Sequence, residues 1–281
     1  RLGAEQPDAQ RSAPQVHAKA LGFFRDRQRV RRRRAEHPRT EVREQRDLFA
    51  DRISGLSRSL SLSAEQLVEQ LRLGDSRTML SLAEVVSTNY TFFFREPESF
   101  EFVAKHVIPA LPDEPLRFWS AATSSGDEAF SLAMLVREHF GSAAAARVRI
   151  LGTDVSERQL EIAEKRVFLR EQLGPMDQVR LGRWFVPATN GGVLVLPEIA
   201  ELCTFRRLNL TQLEWPFERR FHLIFLRNVL YYFEPTLRRA ILERCYDFAE
   251  PGAFLITSLT EPMIDVRTRW SALRPAVYRK G

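Results

Sequence analysis

A run of small residues followed by two acids is the first segment whose residue types could do chemistry. Residues 120–128, SAATSSGDE, follow an apolar stretch and precede a helical pattern. Small side chains let the backbone approach a ligand closely, and Gly126 tolerates unusual dihedral angles. Asp127 and Glu128 at a helix start favour a cationic ligand over a pyrophosphate. The alternative is a plain turn with an acidic helix cap.

A second candidate is Asp154, which directly follows the apolar stretch 148–153 and lies 28 residues beyond Gly126. An acidic residue at the end of a strand is well placed to accept hydrogen bonds from ribose hydroxyls. The alternative is that Asp154 caps a helix that begins near Ser156. Both roles are compatible, so the sequence leaves them open.

A third candidate is the Arg227-Asn228 pair, which follows the apolar stretch FHLIFL and precedes Tyr231 and Tyr232. An Arg-Asn pair beside two tyrosines at a strand end is an unusual loop. The alternative is that Tyr231 or Phe233 simply completes the core.

Residues 87–97, STNYTFFFREP, form a fourth candidate ahead of the others. The three phenylalanines are consistent with ordinary core. The polar side chains among them are harder to explain as core, and they predict a lid that brings hydrogen bonds and the cation Arg95 to a pocket.

Short apolar stretches that alternate with helix-length segments must position these loops. The pattern predicts strands at 116–121, 148–153, 203–207, 221–226 and 253–258, and helices at 98–110, 127–140, 156–166 and 235–249. Such alternation indicates βαβ units and a mainly parallel sheet. Ligands of such sheets bind at the carboxyl ends of the strands, near the point where the strand order reverses. We therefore expect 126–128, Asp154 and 227–228 to converge on one cavity that residues 89–95 close.

The rest of the chain predicts two smaller units and a leader. Residues 47–86 have helical periodicity, and Ser63 followed by Gln66 is a capping-box pattern. Within 170–202, the sequence Asn190-Gly191-Gly192 lies between two apolar runs and predicts a β-hairpin turn. The predicted organisation is a leader at 1–46, a helical domain at 47–86 and a main α/β domain at 87–281.

Charge and composition limit the classes of function. The leader carries 13 Lys and Arg against 6 Asp and Glu, whereas the remaining 235 residues carry 29 and 30. The basic character therefore belongs to the leader, which weakens any case for nucleic-acid binding by the main domain. The Arg31–Arg34 run is either a solvated charged segment or an electrostatic arm for an acidic partner, and the sequence does not decide.

Cysteine content and hydropathy predict the compartment. Cys203 and Cys245 are far apart, with no CxxC spacing, which is typical of two reduced thiols in a cytosolic protein. The chain has no long apolar run and its first residues lack a signal-peptide pattern. We expect a cytoplasmic protein without membrane insertion, a monomer, and no metal site.

Taken in order, these segments resemble the CheR family of receptor glutamate methyltransferases. The resemblance covers roughly residues 48–281. Its segments are TNYTFFFRE (88–96), WSAATSSGDEAFS (119–131), LGTDVSERQLEIAE (151–164), LNL (208–210), FHLIFLRNVLYYF (221–233) and PGAFLITSLTE (251–261).

The resemblance implies a Rossmann-like class I methyltransferase domain, a small N-terminal all-helical domain and a small β-subdomain inserted at about 170–202. It implies S-adenosylmethionine as the methyl donor and a chemotaxis-type receptor, or another glutamate-bearing protein, as the partner. Arg95 and Tyr232 match residues at the family's reacting centre. The residues that match the family's cofactor contacts are Asn89, Thr91, Arg95, Glu128, Asp154, Asn209, Leu210, Arg227 and Asn228. We add Gly126 to the predicted cofactor-binding residues because of its place in the small-residue loop 120–128.

One segment departs from the family pattern, since its usual GEEPYS loop reads GDEAFS here. Asp127 keeps the charge with a shorter reach, whereas Ala129 and Phe130 replace a proline and a hydroxyl. Two alternative functions stay open: a non-catalytic scaffold that binds the cofactor, and a nucleic-acid methyltransferase that uses the leader. Against the nucleic-acid alternative, the sequence has no N/D-P-P-Y/F loop, and neither cysteine lies in a Pro-Cys or Thr-Cys context.

Overall fold

Two compact units make up the chain, the first ending at Thr78 and the second running from Met79 to Gly281. A computed structural model describes residues 53–73, 75, 78, 81–82, 91–261 and 267–281. The predicted leader at 1–46 lies outside these residues, as do most of residues 79–86 at the end of the predicted helical domain and the predicted lid residue Asn89. Among the described residues, no helix combines the length and the apolar character needed to cross a bilayer.

The described residues of the first unit are mostly helical. Residues 53–60 form one helical stretch, and helix α1 spans Ala64–Arg72. The Ser63 hydroxyl accepts the N–H of Gln66, and the Gln66 side chain accepts the N–H of Ser63 at 2.8 Å. The predicted capping box is therefore confirmed, and it satisfies two backbone donors that a helix start leaves open.

Among its described residues from 91 onwards, the second unit has ten strands and seven α-helices. The strands are β1 Leu116–Ala121, β2 Val148–Asp154, β3 Val167–Phe168, β4 Phe185–Pro187, β5 Val193–Val195, β6 Cys203–Arg207, β7 Phe221–Leu226, β8 Ala249–Ile256, β9 Ser271–Arg274 and β10 Val277–Arg279. The helices are α2 Pro97–Phe102, α3 Asp127–Phe140, α4 Ala144–Arg147, α5 Glu157–Lys165, α6 Gln178–Trp184, α7 Pro197–Ala200 and α8 Pro235–Asp247.

Seven strands form the main sheet in the order β6-β2-β1-β7-β8-β10-β9. The first five pair in parallel, and β10 pairs antiparallel with β8 and β9. Helix α3 packs on one face of this sheet and α8 on the other. The predicted Rossmann-like α/β fold is thus confirmed, with a parallel core covered on both sides.

Alternate residues of the central strands fill two separate cores. In β1, Phe118 lies in the core beneath α3, whereas Trp119 lies in the core beneath α8. In β7, every residue is buried, with Leu223 on the first side and Ile224 on the second. A strand covered on both faces needs a continuous apolar run, which explains why FHLIFL carries no polar alternation.

The inserted subdomain is a three-stranded antiparallel sheet in the order β3-β5-β4. Strands β4 and β5 are joined at Ala188–Gly192, where Gly191 has a φ of 74°, so the predicted hairpin is confirmed. Phe93 packs edge-on against Phe168 and Phe185, with ring centroids 4.9 and 5.1 Å apart. The sheet begins at Val167, slightly before the predicted start of the insertion.

Two predicted elements differ from the observed ones by more than two residues at one end. The helix expected over 98–110 is α-helical only to Phe102, and it continues as a π-helical turn and then a 3₁₀ turn, Ile108–Ala110. Pro109 has no N–H to continue the α-helical ladder. Strand β8 begins at Ala249 rather than 253, because Ala249 already pairs with Phe221 ahead of a bulge, and it ends before Ser258.

Candidate functional site

The carboxyl ends of β1, β2 and β7 lie side by side at one edge of the sheet. Ala121 is in register with Thr153 of β2 and with Leu226 of β7. The chain leaves β1 towards β2 on one side, whereas β7 lies on the other, so the strand order reverses at this point. The loops that begin at Ala122, Val155 and Arg227 therefore emerge together, as the sequence pattern predicted.

The loop after β1 is a tight turn that brings its backbone over β2. Thr123 donates its N–H to the carbonyl of Thr153 at 2.8 Å, and Ala122 and Ser124 both have a positive φ. Gly126 has a φ of 89°, and a Cβ there would lie 2.8 Å from the Cβ of Ala163. This position thus requires glycine on two counts, backbone conformation and space.

Asp154 joins the first two loops through its carboxylate. One oxygen accepts the N–H of Ser124 at 2.8 Å, and the other accepts the N–H of Ser156 at 3.0 Å. Helix α5 itself is capped by Ser156, whose side chain accepts the N–H of Gln159. Asp154 therefore orders the turn ahead of the helix, and its carboxylate is a group of the kind that accepts hydrogen bonds from ligand hydroxyls.

The Leu208–Leu210 segment lies beside Asp154. Leu208 donates its N–H to the carbonyl of Asp154 at 2.9 Å. The side-chain oxygen of Asn209 accepts the N–H and the hydroxyl of Thr211, each at 2.9 Å, and Leu210 is buried. Asn209 and Leu210, which the sequence placed among the cofactor contacts, thus lie at the same edge as Asp154.

Arg227 is the central charge of the site. Its side chain is only 1% exposed and forms ion pairs with Glu128 at 3.0 Å and with Glu96 at 3.3 Å. It also donates to the carbonyl of Arg95. A buried guanidinium needs such acceptors, because it is always charged. Arg227 thereby fastens the end of the predicted lid to the start of α3.

The two acids that open α3 lie in different surroundings. Burial raises the pKa of Glu128, although Arg227 and a 2.7 Å hydrogen bond from Ser120 favour its charged form. Burial raises the pKa of Asp127 to about 6 against a 2.6 Å hydrogen bond from Ser125. Glu128 thus faces the Arg227 cation, whereas Asp127 is enclosed.

The tyrosine pair lies at the surface beyond Arg227. The two phenol oxygens are 3.2 Å apart and the ring centroids 4.3 Å apart, and both side chains are exposed. Partial burial and the contact with Tyr232 raise the pKa of Tyr231, and the charge of Arg95 opposes this shift. The suggestion that Tyr231 completes the core is therefore wrong, whereas Phe233 does pack against the core.

The predicted lid is described from Thr91 onwards. Thr91 and Arg95 are partly buried, and Phe93 and Phe94 are core residues, as expected of ordinary phenylalanines. Phe93 donates its N–H to the carbonyl of Gln172 at 3.0 Å. Phe94 donates to the Ser131 hydroxyl of α3, also at 3.0 Å. The segment thus contacts the inserted subdomain and α3.

The substituted positions of the GDEAFS loop lie in the core. Ala129 and Phe130 are completely buried, and the Phe130 ring packs edge-on against Phe168 and Phe205. An aromatic ring at this position binds the loop to the inserted subdomain by apolar contact, so the missing hydroxyl leaves no polar gap there.

Sequence reasoning missed two carboxylates that organise the site. Glu96, which has a φ of 58°, accepts from the Ser258 hydroxyl at 2.7 Å and from the Asn228 side chain at 3.2 Å. Glu261 accepts the backbone N–H groups of Asn228 and Leu230, each at 2.7 Å. Glu261 follows β8 at the same sheet edge, so the strand-end argument could have found it.

The thiols take no part in this arrangement. Cys203 and Cys245 are both free, and burial raises the pKa of each. A thiolate is the reactive form of cysteine, so both side chains are suited to packing and not to nucleophilic attack. This speaks against a methyl transfer that proceeds through a covalent cysteine adduct.

Comparison with known proteins agrees with this arrangement. A family model described as CheR methyltransferase, SAM binding domain, matches residues 89–277. The Chemotaxis protein methyltransferase of Borreliella burgdorferi is 27% identical over 211 residues, which cover 72% of this chain and 74% of that protein.

Two further relatives bear the same name. The protein of Escherichia coli is 31% identical over 196 residues, covering 69% of this chain and 68% of its own. The protein of Vibrio parahaemolyticus is 29% identical over 234 residues, covering 81% and 85%.

Proposed function

This chain belongs to the CheR methyltransferase family, and we propose that it transfers methyl groups to glutamate side chains of a chemoreceptor. S-adenosylmethionine-dependent methylation is the activity of the family. The finer points, which are the acceptor glutamates and the roles of single residues, are our proposal. The observation that carries it is the convergence of three strand-end loops and the segment 91–96 around Arg227.

The residues present fit S-adenosylmethionine. Gly126 has no side chain to obstruct the turn, and Asp154, an acceptor of the kind that ribose hydroxyls need, lies at the same edge as Asn209 and Leu210. We propose that Asp154 accepts from the ribose hydroxyls. Thr91, Arg95, Asn228 and the α3 start with Glu128 would complete the pocket, with Arg227 holding these parts together.

When bound, the donor supplies an electrophilic methyl group. A glutamate acceptor has a pKa of about 4.3 and is already ionised at neutral pH, so the enzyme needs no strong base. The site is consistent with this, because the carboxylates of Glu96, Glu128 and Glu261 accept hydrogen bonds from protein donors. Positioning and exclusion of water can then supply about 7–11 kcal/mol of the barrier reduction.

We assign the acceptor side of the site to Arg95 and Tyr232. Arg95 would clamp a carboxylate, either that of the donor or that of the substrate. Tyr232, whose ring is exposed beside Tyr231, would orient the acceptor through its hydroxyl. The segment 91–96 would exclude water from the reacting atoms. Tyr232 is exposed and Arg95 is only partly buried, which supports access by a protein substrate.

The proposal is tested by methyl transfer from labelled S-adenosylmethionine to cytoplasmic fragments of a chemoreceptor. Label that appears on the fragment and is released by base identifies carboxyl esters. A matched fragment with the acceptor glutamates replaced by glutamine is the control and should take up no label. Absence of base-labile label on the first fragment would reject the proposal, and label on RNA or DNA would favour the nucleic-acid alternative.

A further inference from the structure

The turn that carries the tyrosine pair is held from both sides by charged side chains. Glu261 is only 5% exposed, and its carboxylate accepts from the N–H groups of Asn228, Leu230, Tyr231 and Ser258, two at 2.7 Å and two at 3.4 Å. A buried carboxylate is costly unless its lone pairs are satisfied, and here backbone donors satisfy them.

The carbonyl groups of the same turn face the guanidinium of Arg238. Its Nε donates to the carbonyl of Leu230 at 3.1 Å, and an Nη donates to that of Phe233 at 3.2 Å. The N–H of Tyr232 is used within the turn, donating to the carbonyl of Val229 at 3.2 Å. Other backbone N–H groups of the turn are therefore bound by Glu261, and carbonyl groups of the turn are bound by Arg238.

The two tyrosine rings contrast with this fixed backbone. Their side chains are 49% and 44% exposed, although the turn beneath them is tied to the buried Glu261. The two rings contact each other, with centroids 4.3 Å apart, and both project from the backbone that Glu261 holds.

We propose that Glu261 is a positioning residue that holds the 228–232 turn, and with it the Tyr232 ring, in place for methyl transfer. The inference rests on the role of Tyr232 under the proposed function. Glu261 itself acts through the backbone and has no contact with the reacting atoms in this assignment.

Glutamine at this position separates hydrogen bonding from size. The variant Glu261→Gln keeps the volume, but one carboxylate oxygen becomes an NH₂ group, which is a donor. If the remaining oxygen serves Leu230 and Tyr231, the NH₂ group faces the N–H groups of Asn228 and Ser258. Two sets of donors then oppose each other, and the turn must shift.

The test compares Glu261→Gln with the unaltered full chain in two measurements. Amide hydrogen exchange in a peptide covering 228–232, with S-adenosylhomocysteine present, should become at least about tenfold faster. The kcat for labelling of the receptor fragment should fall at least about tenfold, while the Kd for S-adenosylhomocysteine changes less. A merely structural role would not separate kcat from Kd in this way.

Two control variants distinguish a specific role of Glu261 from a general effect of substitution. The matched control is Glu243→Gln, because Glu243 lies outside the turn and its carboxylate also accepts a backbone N–H, that of Arg269. In this variant, neither hydrogen exchange at 228–232 nor kcat should change. If Glu261→Gln does not fold, Arg238→Gln releases the carbonyl side of the same turn and should accelerate the same exchange.

The inference is overturned if exchange at 228–232 is unchanged in a folded Glu261→Gln or in Arg238→Gln, or if exchange accelerates while kcat stays constant. Failure of the proposed function is distinguishable, because the unaltered chain would then leave the receptor fragment unlabelled while the exchange result still reports on the turn.

Discussion

The guanidinium of Arg227 lies 3.0 Å from the carboxylate of Glu128, and the two side chains are 1% and 14% exposed. This ion pair joins the end of β7 to the first turn of α3. Glu96 adds a second carboxylate at 3.3 Å. One buried cation thus holds two partly buried anions, so its removal affects more than a single contact.

We expect Arg227→Met to lower the free energy of unfolding by about 3–5 kcal/mol, because it leaves two partly buried carboxylates without their cation. Urea denaturation measures the loss. The double variant with Glu128→Gln should lose less than the two single variants added together, since it removes an anion with the cation. Strict additivity of the three values would show that the pair is not coupled.

Arg95→Ala should reduce methyl transfer at least about a hundredfold, because it removes the cation that we propose to clamp a carboxylate at the reacting centre. The fold should persist, since Arg95 is only partly buried. Initial rates at saturating methyl donor, with circular dichroism as a check of folding, measure the effect. Arg95→Lys is the matched control and should retain part of the rate; near-normal turnover of the alanine variant would remove Arg95 from the mechanism.

Asp154→Ala should weaken cofactor binding by about 1–3 kcal/mol if a buried hydrogen bond to the ribose is lost. The unfolding free energy should fall as well, because the N–H groups of Ser124 and Ser156 lose their acceptor. Calorimetry with S-adenosylhomocysteine separates the two effects. Glu157→Gln, in which a carboxylate paired with Arg207 is altered, should leave the affinity unchanged, and the same result for Asp154→Ala would reject the ribose role.

Asp127 should make the protein less stable as the pH rises. Burial raises its pKa from 3.8 to about 6 in the folded state, so the folded chain binds a proton that the unfolded chain has already lost. The resulting stabilisation is present below pH 3.8 and is lost as the pH rises through about 6. Its full size is about 3 kcal/mol.

Asp127→Asn removes this titration and supplies the measurement. Between about pH 4.5 and about pH 7.5, the unfolding free energy of the unaltered chain should fall by about 2 kcal/mol more than that of the variant. Urea denaturation at both pH values, with the difference taken between the two chains, cancels the other titrating groups. Parallel pH dependences would show that Asp127 is ionised in the folded protein throughout this range.

Local patterns predicted much of the fold. Strands β1, β6 and β7 have the predicted bounds. In β7 every residue is buried, and a strand covered on both faces is expected to be a largely apolar run. Helix α3 also begins and ends as expected, since Gly126 and Gly141 flank an apolar helical pattern. Such features depend on neighbours in the sequence and can therefore be read from it.

The partners within the site could not be predicted in the same way. Arg227 was expected to contact the cofactor, but its role as the partner of Glu96 and Glu128 depends on the packing of segments that are far apart in the chain. Glu261 has no local pattern that marks it, because the groups that it accepts from are backbone N–H groups. Strand order would have placed it at the correct edge, but not its contacts.

The hydrogen bond between Glu96 and Ser258 joins residues that are 162 positions apart, and this distance has a consequence for biosynthesis. During translation, Glu96 leaves the ribosome long before Ser258 or Glu261 has been made. Contacts that close such long loops form late, after the local helices. Cofactor binding would therefore require the completed chain. A nascent chain that stops short of Ser258 lacks the groups that hold the pocket together.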